Sequence, residues 1–467
     1  VAEDETPGAG EEASTMSKRG ITRREFIRSA AVLAAPVIVP STVFGRNAPS
    51  SRVHLAAIGV GNRGAGNVWQ DFVETQQDVR IVAACDCFKG RREDFAAKVN
   101  AFYGSEVCAP MADWREVLAR KDVDGVIIST PDHWHVPLAY HAAKAKKDMY
   151  VEKPLGVAMA WAWKLREAVS ANKVIFQYGT QQRSSSEFTR AVELVRNGYI
   201  GKVKHIDAWC SGMNSPGGYD QVFNEHFKNT EPEPVPAGLD YEMWIGPAPM
   251  KPYTKSRCTE WGAYHIYDYA LGFIAGWGAH PLDIAQWGLD MDGTSPVHYE
   301  GTGEIPKGGL FDTIDNWDVR CRYENGVTMR FMCDRVARDV EGVFDPRTRP
   351  YLDHGTTFRG EDGWVSVSRG VLYASPKELQ RTKIRDDEKP VIRSSSQGRN
   401  FVESMKTRRL TINPLESAIR SDTISHMSNI AIRLGRPVRW DPRAERIRDD
   451  AEATKMLDRP MRPPWTM

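Results

Sequence analysis

The chain has 467 residues, of which 41% are hydrophobic and 26% charged, a globular balance that excludes wholesale disorder. Its 62 Lys and Arg against 61 Asp and Glu leave a net charge of +1, so no basic excess exists to neutralise a phosphate backbone, and no nucleic-acid partner is expected. The 7 cysteines are odd in number and lack a CxxC pair, which speaks for buried thiols rather than a disulfide scaffold or a zinc ribbon.

Residues 1–50 do not read as folded structure. Val1 to Thr15 is acidic and Gly-rich, and a more natural start follows at Met16-Ser17-Lys18-Arg19. Twin arginines in Thr22-Arg23-Arg24-Glu25-Phe26 precede an apolar run, Ala30 to Val39, that Pro36 interrupts. Charge, then a modest apolar run, then a Pro/Ser-rich exit is the order of a Tat-type export signal, which implies a periplasmic protein, or a cytoplasmic one if the signal is not used. The run falls short of the ~20 apolar residues a spanning helix needs, so no stable membrane span is expected in the mature form. No clean A-x-A cleavage site is visible.

The stretch 51–172 predicts a doubly wound α/β domain with a parallel sheet. Arg52 to Ile58 reads as a buried strand that runs into Gly59-Val60-Gly61-Asn62-Arg63-Gly64 and then a helix over 65–75. This is GxGxxG between strand and helix. Gly59 permits the tight turn, Gly61 lets the backbone approach a pyrophosphate, and Gly64 lets helix and strand pack closely. A second strand, Val79 to Cys85, ends at Asp86, 22 residues after Gly64 and close to the ~20 expected of an acid that binds the adenosine ribose. The acid favours NAD, while Arg91 and Arg92 just downstream keep NADP open. A short helix or turn over 113–118, a strand over 123–130, a helix over 138–147 and a strand over 149–152 continue the alternation. Two strand ends are dense in polar groups, Thr130-Pro131-Asp132-His133-Trp134-His135 and Glu152-Lys153-Pro154-Leu155, and both should face the cofactor. If His133 and His135 alternate along a strand they share a face and could hold zinc, but no third ligand sits at a suitable spacing, so no metal is expected.

Residues 173–440 read as an α+β domain with an open, mainly antiparallel sheet, and 441–467 as a tail that packs back. Strands are predicted over 203–209, 318–323, 327–332, 356–359 and 364–368, with an Asn325-Gly326 hairpin turn. The Gly/Pro/Asn-rich stretch 213–236 reads as a long loop, and 414–434 as a helix. The 14 Trp include several here (Trp209, Trp244, Trp261, Trp277, Trp287) whose rings could stack on sugar faces, although core packing is the plainer account of most.

In this order and spacing, GxGxxG, TPxxxH and EKP resemble the glucose–fructose oxidoreductase, inositol dehydrogenase and MocA family (Gfo/Idh/MocA), from about Ser51 to the C-terminus. Gln177-Tyr178-Gly179-Thr180-Gln181-Gln182-Arg183, Trp244-Ile245-Gly246-Pro247-Ala248-Pro249 and Trp277-Gly278-Ala279-His280-Pro281-Leu282-Asp283 resemble segments of its exported bacterial branch. The resemblance implies NAD or NADP as cofactor, a small carbohydrate substrate, a homo-oligomer through the second-domain sheet, and hydride transfer between nicotinamide and a hydroxyl-bearing carbon of a sugar, polyol or cyclitol. It implies cofactor contacts from Gly59, Gly61, Asn62, Arg63, Gly64, Asp86, Thr130, Pro131, His133, His135, Glu152 and Lys153. Substrate contacts are implied for Arg183, Tyr264, His265, Asp268, Trp277 and His280.

Lys153 and His280 are the implied catalytic pair. An ammonium beside a developing alkoxide stabilises it, and an oxidised nicotinamide nearby should lower the lysine pKa. His280 would be the general acid/base, but the family's D-x-x-x-H has Gly276 where the acid belongs. Tyr264, His265, Tyr267 or Asp268 could fill that gap, and spacing alone does not choose among them. Asp283 reads as orienting its helix. Two rival functions share the motifs. One is an NAD-dependent glycosidase or lyase that oxidises a ring hydroxyl transiently, which suits an exported enzyme because free NAD is scarce outside the cytoplasm. The other is a non-catalytic dinucleotide-binding sensor.

Overall fold

The computed structural model describes residues 52–215, 219–385, 387–388 and 391–467, and the twin-arginine segment lies outside the described residues. Val53–Ile58 (β1), Val79–Cys85 (β2), Ala109–Met111 (β3), Gly125–Ile128 (β4), Asp148–Val151 (β5) and Phe176–Tyr178 (β6) form a parallel sheet in the order β3-β2-β1-β4-β5-β6. β4 and β5 are buried at every position, as strands with helices on both faces must be. The chain turns to opposite sides of the sheet from β1 and β4, which opens a crevice beyond their C-terminal ends.

The helix expected from residue 138 begins six residues earlier and spans Asp132–Lys144. Pro131 precedes it, with φ −58° already suited to a helix entry. His133 and His135 therefore lie in a first helical turn and not on a strand. Two residues apart on a helix point to different sides, so the shared face that a zinc pair needs does not exist. The helix after the glycine loop, Asn62–Val68, continues as a π-helical turn over Trp69–Val73.

The second sheet contains Val203–Cys210 (β7), His298–Glu304 (β8), Asp315–Arg322 (β9), Thr328–Cys333 (β10), Gly355–Gly360 (β11), Trp364–Ser368 (β12), Val371–Ser375 (β13), Val438–Asp441 (β14) and Arg446–Ile447 (β15). Their order is β13-β12-β11-β7-β10-β9-β8-β14-β15, antiparallel throughout except for the β7–β10 pair. β8 carries no strand signal in sequence because Gly301 and Gly303 interrupt it. Pairing with β9 explains the first: a Cβ on Gly301 would meet the Asp318 carbonyl oxygen at 2.6 Å. The stretch read as a long loop contains a helix, Tyr219–His226, whose Phe223 stacks on Phe227 at 4.6 Å.

Leu415–Leu434 is buried on almost every side. It tolerates its many hydroxyl residues because they bond back to the preceding turn, as Thr423 Oγ1 does to the Ile419 carbonyl at 2.7 Å and Ser428 to that of Ile424 at 2.6 Å. One continuous apolar core runs from β1 and β4 through this helix to β8 and β9. No described helix is long and apolar enough to cross a membrane.

Candidate active site

The glycine loop has the shape its sequence predicts. Gly59 has φ +86°, and a Cβ there would sit 2.6 Å from the Ser129 carbonyl oxygen. A Cβ on Gly64 would sit 2.3 Å from the Gly59 carbonyl, so both glycines are demanded by the protein's own backbone. Gly61 differs. Its nearest obstruction would be the Arg91 guanidinium at 3.3 Å, a movable side chain, and its backbone faces the crevice. Asp86 accepts hydrogen bonds from the backbone N–H of Val60 at 3.0 Å and of Phe88 at 2.9 Å, which ties the end of β2 to the loop after β1. Burial raises the Asp86 pKa against the pull of these N–H groups and of Arg91.

The crevice holds about 1180 Å³ of space, its open mouth included, between the glycine loop and the segment from Met243 to Tyr264. Its floor is the glycine loop, Asp86, Ser129 to Asp132 and Glu152-Lys153; its roof is Met243, Trp244, Cys258 to Glu260, Ala263 and Tyr264. The roof is anchored where the Leu239 backbone bridges Phe88 and the Asp240 N–H donates to the Cys87 carbonyl at 3.0 Å. It is held again by Trp134, whose indole N–H lies 3.0 Å from the Met243 carbonyl and 3.2 Å from that of Trp244. Several buried polar atoms beside the crevice lack a protein partner: Ser129 Oγ, Thr130 Oγ1 and Asp132 Oδ2. Buried polar atoms are ordinarily paired, so an orphan set next to an open glycine cradle is what a hydrogen-bonding ligand would complete. The residues present fit a nicotinamide dinucleotide.

Lys153 is half-buried and lines this crevice beside Glu152. Burial pulls its pKa down, but Tyr264, Glu152 and Asp132 outweigh burial, and the net lies above the ordinary lysine value. The protein's own groups thus hold the ammonium charged, and any lowering has to come from the nicotinamide. Glu152 does not serve as a simple ion-pair partner: its carboxylate accepts from Asn67 Nδ2 at 2.7 Å and from the Lys153 backbone N–H at 3.3 Å. Behind the loop, Asp422 accepts from the Leu155 N–H at 2.7 Å and from the Tyr178 hydroxyl at 2.7 Å, and burial raises its pKa to about 7. Sequence reading missed Asp422, and it named Asp132 only as part of the polar strand end from Thr130 to His135.

His280 opens the helix Ala279–Gly288, is 3% exposed, and has an Nδ1 without a protein partner. Burial lowers its pKa far below the ordinary value, and the positive charges of Arg369, Lys153, His354 and Arg63 add to that. Both causes favour the neutral ring. Trp277 packs beside it with ring centroids 5.6 Å apart, and the Arg369 guanidinium lies 5.1 Å from the Trp277 ring. Gly276 ends a separate short helix, Phe273–Gly276. A Cβ at 276 would make ordinary van der Waals contact with the Tyr264 ring, at 3.4 Å and 3.5 Å.

The expected site residues separate into two groups. The glycine loop, Asp86, Thr130, Pro131, His135, Glu152, Lys153 and Tyr264 line one crevice, and His280 feels the charge of Lys153 within it. His135 belongs to the wall, but its ring nitrogens lie 2.7 Å from the Pro154 carbonyl and 2.7 Å from that of Thr130, so it clamps two strand-end loops together. His133 turns away from the crevice to the Trp244 carbonyl at 3.1 Å, and burial lowers its pKa to about 4. Arg183 is 1% exposed and bound to Asp283 at 2.6 Å and Asp292 at 2.8 Å, where it faces no substrate. His265 is buried against Trp261 and Phe273, with its pKa lowered to about 3 by burial. Asp268 is half-buried outside the crevice lining.

Residues 53–180 match the Gfo/Idh/MocA family described as "Oxidoreductase family, NAD-binding Rossmann fold", and residues 193–467 match its "Oxidoreductase family, C-terminal alpha/beta domain". A "Glycosyl hydrolase family 109 protein" of Stenotrophomonas maltophilia is 30% identical over 193 residues, 40% of this chain and 41% of that protein. An "Alpha-N-acetylgalactosaminidase" of Shewanella oneidensis is 27% identical over 210 residues, 40% of this chain and 45% of that one. The matched stretch is thus less than half of either relative. Among solved structures, GenD2 from gentamicin A biosynthesis in complex with NAD superposes with a TM-score of 0.57 at 17% identity, covering 84% of this chain and 97% of that one. Aldose-aldose oxidoreductase from Caulobacter crescentus, complexed with glycerol, gives 0.57 at 16% identity over 83% and 99%. At such identity the likeness is one of fold.

Proposed function

The chain belongs to the Gfo/Idh/MocA oxidoreductase family, and from that premise we propose that it is an NAD(P)-dependent dehydrogenase acting on a hydroxyl-bearing carbon of a sugar or polyol. The observation that carries this reading is the charged Lys153 ammonium in the wall of a crevice built on the glycine loop, with the neutral His280 ring within its field. The bound nicotinamide would supply the hydride acceptor or donor. The loop from Gly59 to Gly64 would hold the diphosphate through its backbone, and Asp86 the adenosine ribose. Lys153 would stabilise negative charge on the substrate oxygen as its proton leaves. Asp86 at the ribose position favours NAD, because a 2′-phosphate there would face a carboxylate. The test is to release and identify the co-purifying nucleotide, then follow the near-ultraviolet absorbance of reduced nicotinamide against a panel of sugars, polyols and glycosides. Absorbance that responds to none of them would sink the proposal.

A second reading draws support from the glycosidase names of the relatives. In it the same carbon is oxidised and reduced within one turnover, so a glycoside is cleaved with no net redox change. Release of a free sugar from a glycoside at constant absorbance, with substoichiometric NAD, would select this reading. The export signal over 1–50 stays a proposal too, tested by whether a fusion of these residues carries a folded reporter across the inner membrane.

A further inference from the structure

We propose that the segment Arg459–Met467 is a clasp that holds the roof of the crevice shut on the dinucleotide, so that the cofactor leaves only when the clasp lets go. This rests on the crevice holding a nicotinamide dinucleotide and not on which reaction follows. The roof is built as a separable part. Leu239, Trp244, Ile245, Tyr253, Cys258 and Phe311 belong to an apolar cluster of their own, apart from the main core, and the two clusters meet through half-buried side chains such as Trp261. A part that shares few buried contacts with the rest of a fold opens at lower cost than the core does. At one end the roof is tied by backbone, where the Lys89 N–H donates to the Gly238 carbonyl at 2.7 Å beside the Phe88–Leu239 bridge. Its other end is the turn from Glu242 to Ala248.

The segment Arg459–Met467 grips that turn. It has neither helix nor strand, and Pro460, Pro463 and Pro464 restrict its backbone. Arg462 donates through Nε to the Gly246 and Ala248 carbonyls, each at 3.1 Å, through Nη2 to the Gly246 carbonyl at 2.8 Å, and through Nη1 to the Glu242 carboxylate at 2.6 Å. Its backbone N–H donates to the Pro247 carbonyl at 2.9 Å. The Trp465 ring packs edge-on against Trp134 with centroids 5.0 Å apart, and the Arg115 guanidinium lies 5.6 Å from the Trp465 ring. His141 Nε2 lies 2.9 Å from the Thr466 carbonyl. Trp134 and His141 belong to the helix Asp132–Lys144, which starts at the crevice floor. One short stretch thus holds the roof through Arg462 and the floor through Trp465. It backs the ring of Trp134, whose indole N–H reaches the Met243 and Trp244 carbonyls and which lies so near the turn that a Cβ on Gly246 would sit 2.2 Å from it. The upstream end is fixed where the Trp161 indole donates to the Arg459 carbonyl at 3.1 Å and the Arg459 guanidinium lies 4.0 Å from the Tyr267 ring.

The test is an exchange experiment on the full chain. Protein loaded with radiolabelled NAD is chased with excess unlabelled NAD, and association and dissociation rates are read for the wild type, Arg462→Met and Trp465→Leu. The expected result is dissociation faster by about tenfold or more in both variants, with association no slower, because a roof that opens more often both releases and admits. Arg462→Lys keeps a cation beside Glu242 but loses the fork across Gly246 and Ala248, so its rate should fall between. Dissociation within about twofold of wild type in both Arg462→Met and Trp465→Leu would overturn the clasp. Amide hydrogen exchange separates a clasp from general loosening. In both variants exchange should quicken over residues 239–248 and keep its wild-type rate in β1 and β4, and an equal rise in β1 and β4 would refute the proposal. A wild type that binds neither NAD nor NADP would overturn the cofactor assignment and this proposal with it, whereas unchanged rates in a chain that binds NAD overturn the clasp alone.

Discussion

The two faces of the loop that carries Lys153 differ in how their polar atoms are satisfied. In front, toward the crevice, Ser129 Oγ, Thr130 Oγ1 and Asp132 Oδ2 are buried without protein partners. Behind, a seam of groups, all buried but the half-buried Asp292, is cross-bonded. Arg183 holds Asp283 and Asp292, Asp283 also accepts from Thr180 and Asn413, and Asp422 joins Tyr178 to the Leu155 backbone. The same residue types thus do opposite work. Where every donor and acceptor is met within the chain, polar groups fix architecture; where several are left open beside a cavity, they wait for a ligand.

That contrast makes the seam a stability element and the crevice a functional one, and substitutions on either side should separate cleanly. The largest expected effect is in the seam. Arg183→Met leaves the two aspartates facing each other without a cation and should cost about 3–5 kcal/mol of unfolding free energy, measured by denaturant titration. A change below about 1 kcal/mol would break the comparison. Lys153→Ala should do the reverse, lowering kcat by about 100- to 10,000-fold while moving unfolding free energy by less than about 1 kcal/mol. Asp86→Ala should weaken NAD binding by roughly tenfold and narrow the preference against NADP, read by fluorescence titration with each nucleotide. Thr130→Val is the finest probe. It removes an atom with no protein partner, so stability should hold or rise slightly, while NAD affinity falls by about 1 kcal/mol. A loss of stability there would show that Thr130 Oγ1 serves the fold after all.

Much of the front face was legible in the chain. GxGxxG, the acid 22 residues on, and the two polar strand ends named the crevice because each is a local solution to a local problem, a tight turn or a strand terminus. Arg183 and His265 were misplaced for the opposite reason. Both stand in motifs near the site, yet their side chains point into packed interior, and sequence distance says nothing about direction. The helix start at Asp132 was hidden because His133-Trp134-His135 has no helical periodicity, and Pro131 set it. β8 was hidden because its glycines serve a neighbour's backbone that only pairing brings near.

By itself the sequence determined the alternation of strand and helix in the first half and the dinucleotide loop, since these follow from hydrophobic period and turn chemistry within a few residues, while the place of Lys153 was implied by the family resemblance of its motif. The tertiary structure alone decided which aromatic ring stands beside Gly276, that Asp422 braces the lysine loop from 267 residues away, and that a segment near residue 240 roofs the crevice. Those contacts join parts of the chain that share no local pattern, and they form only when one continuous core pulls both sheets and the buried helix together.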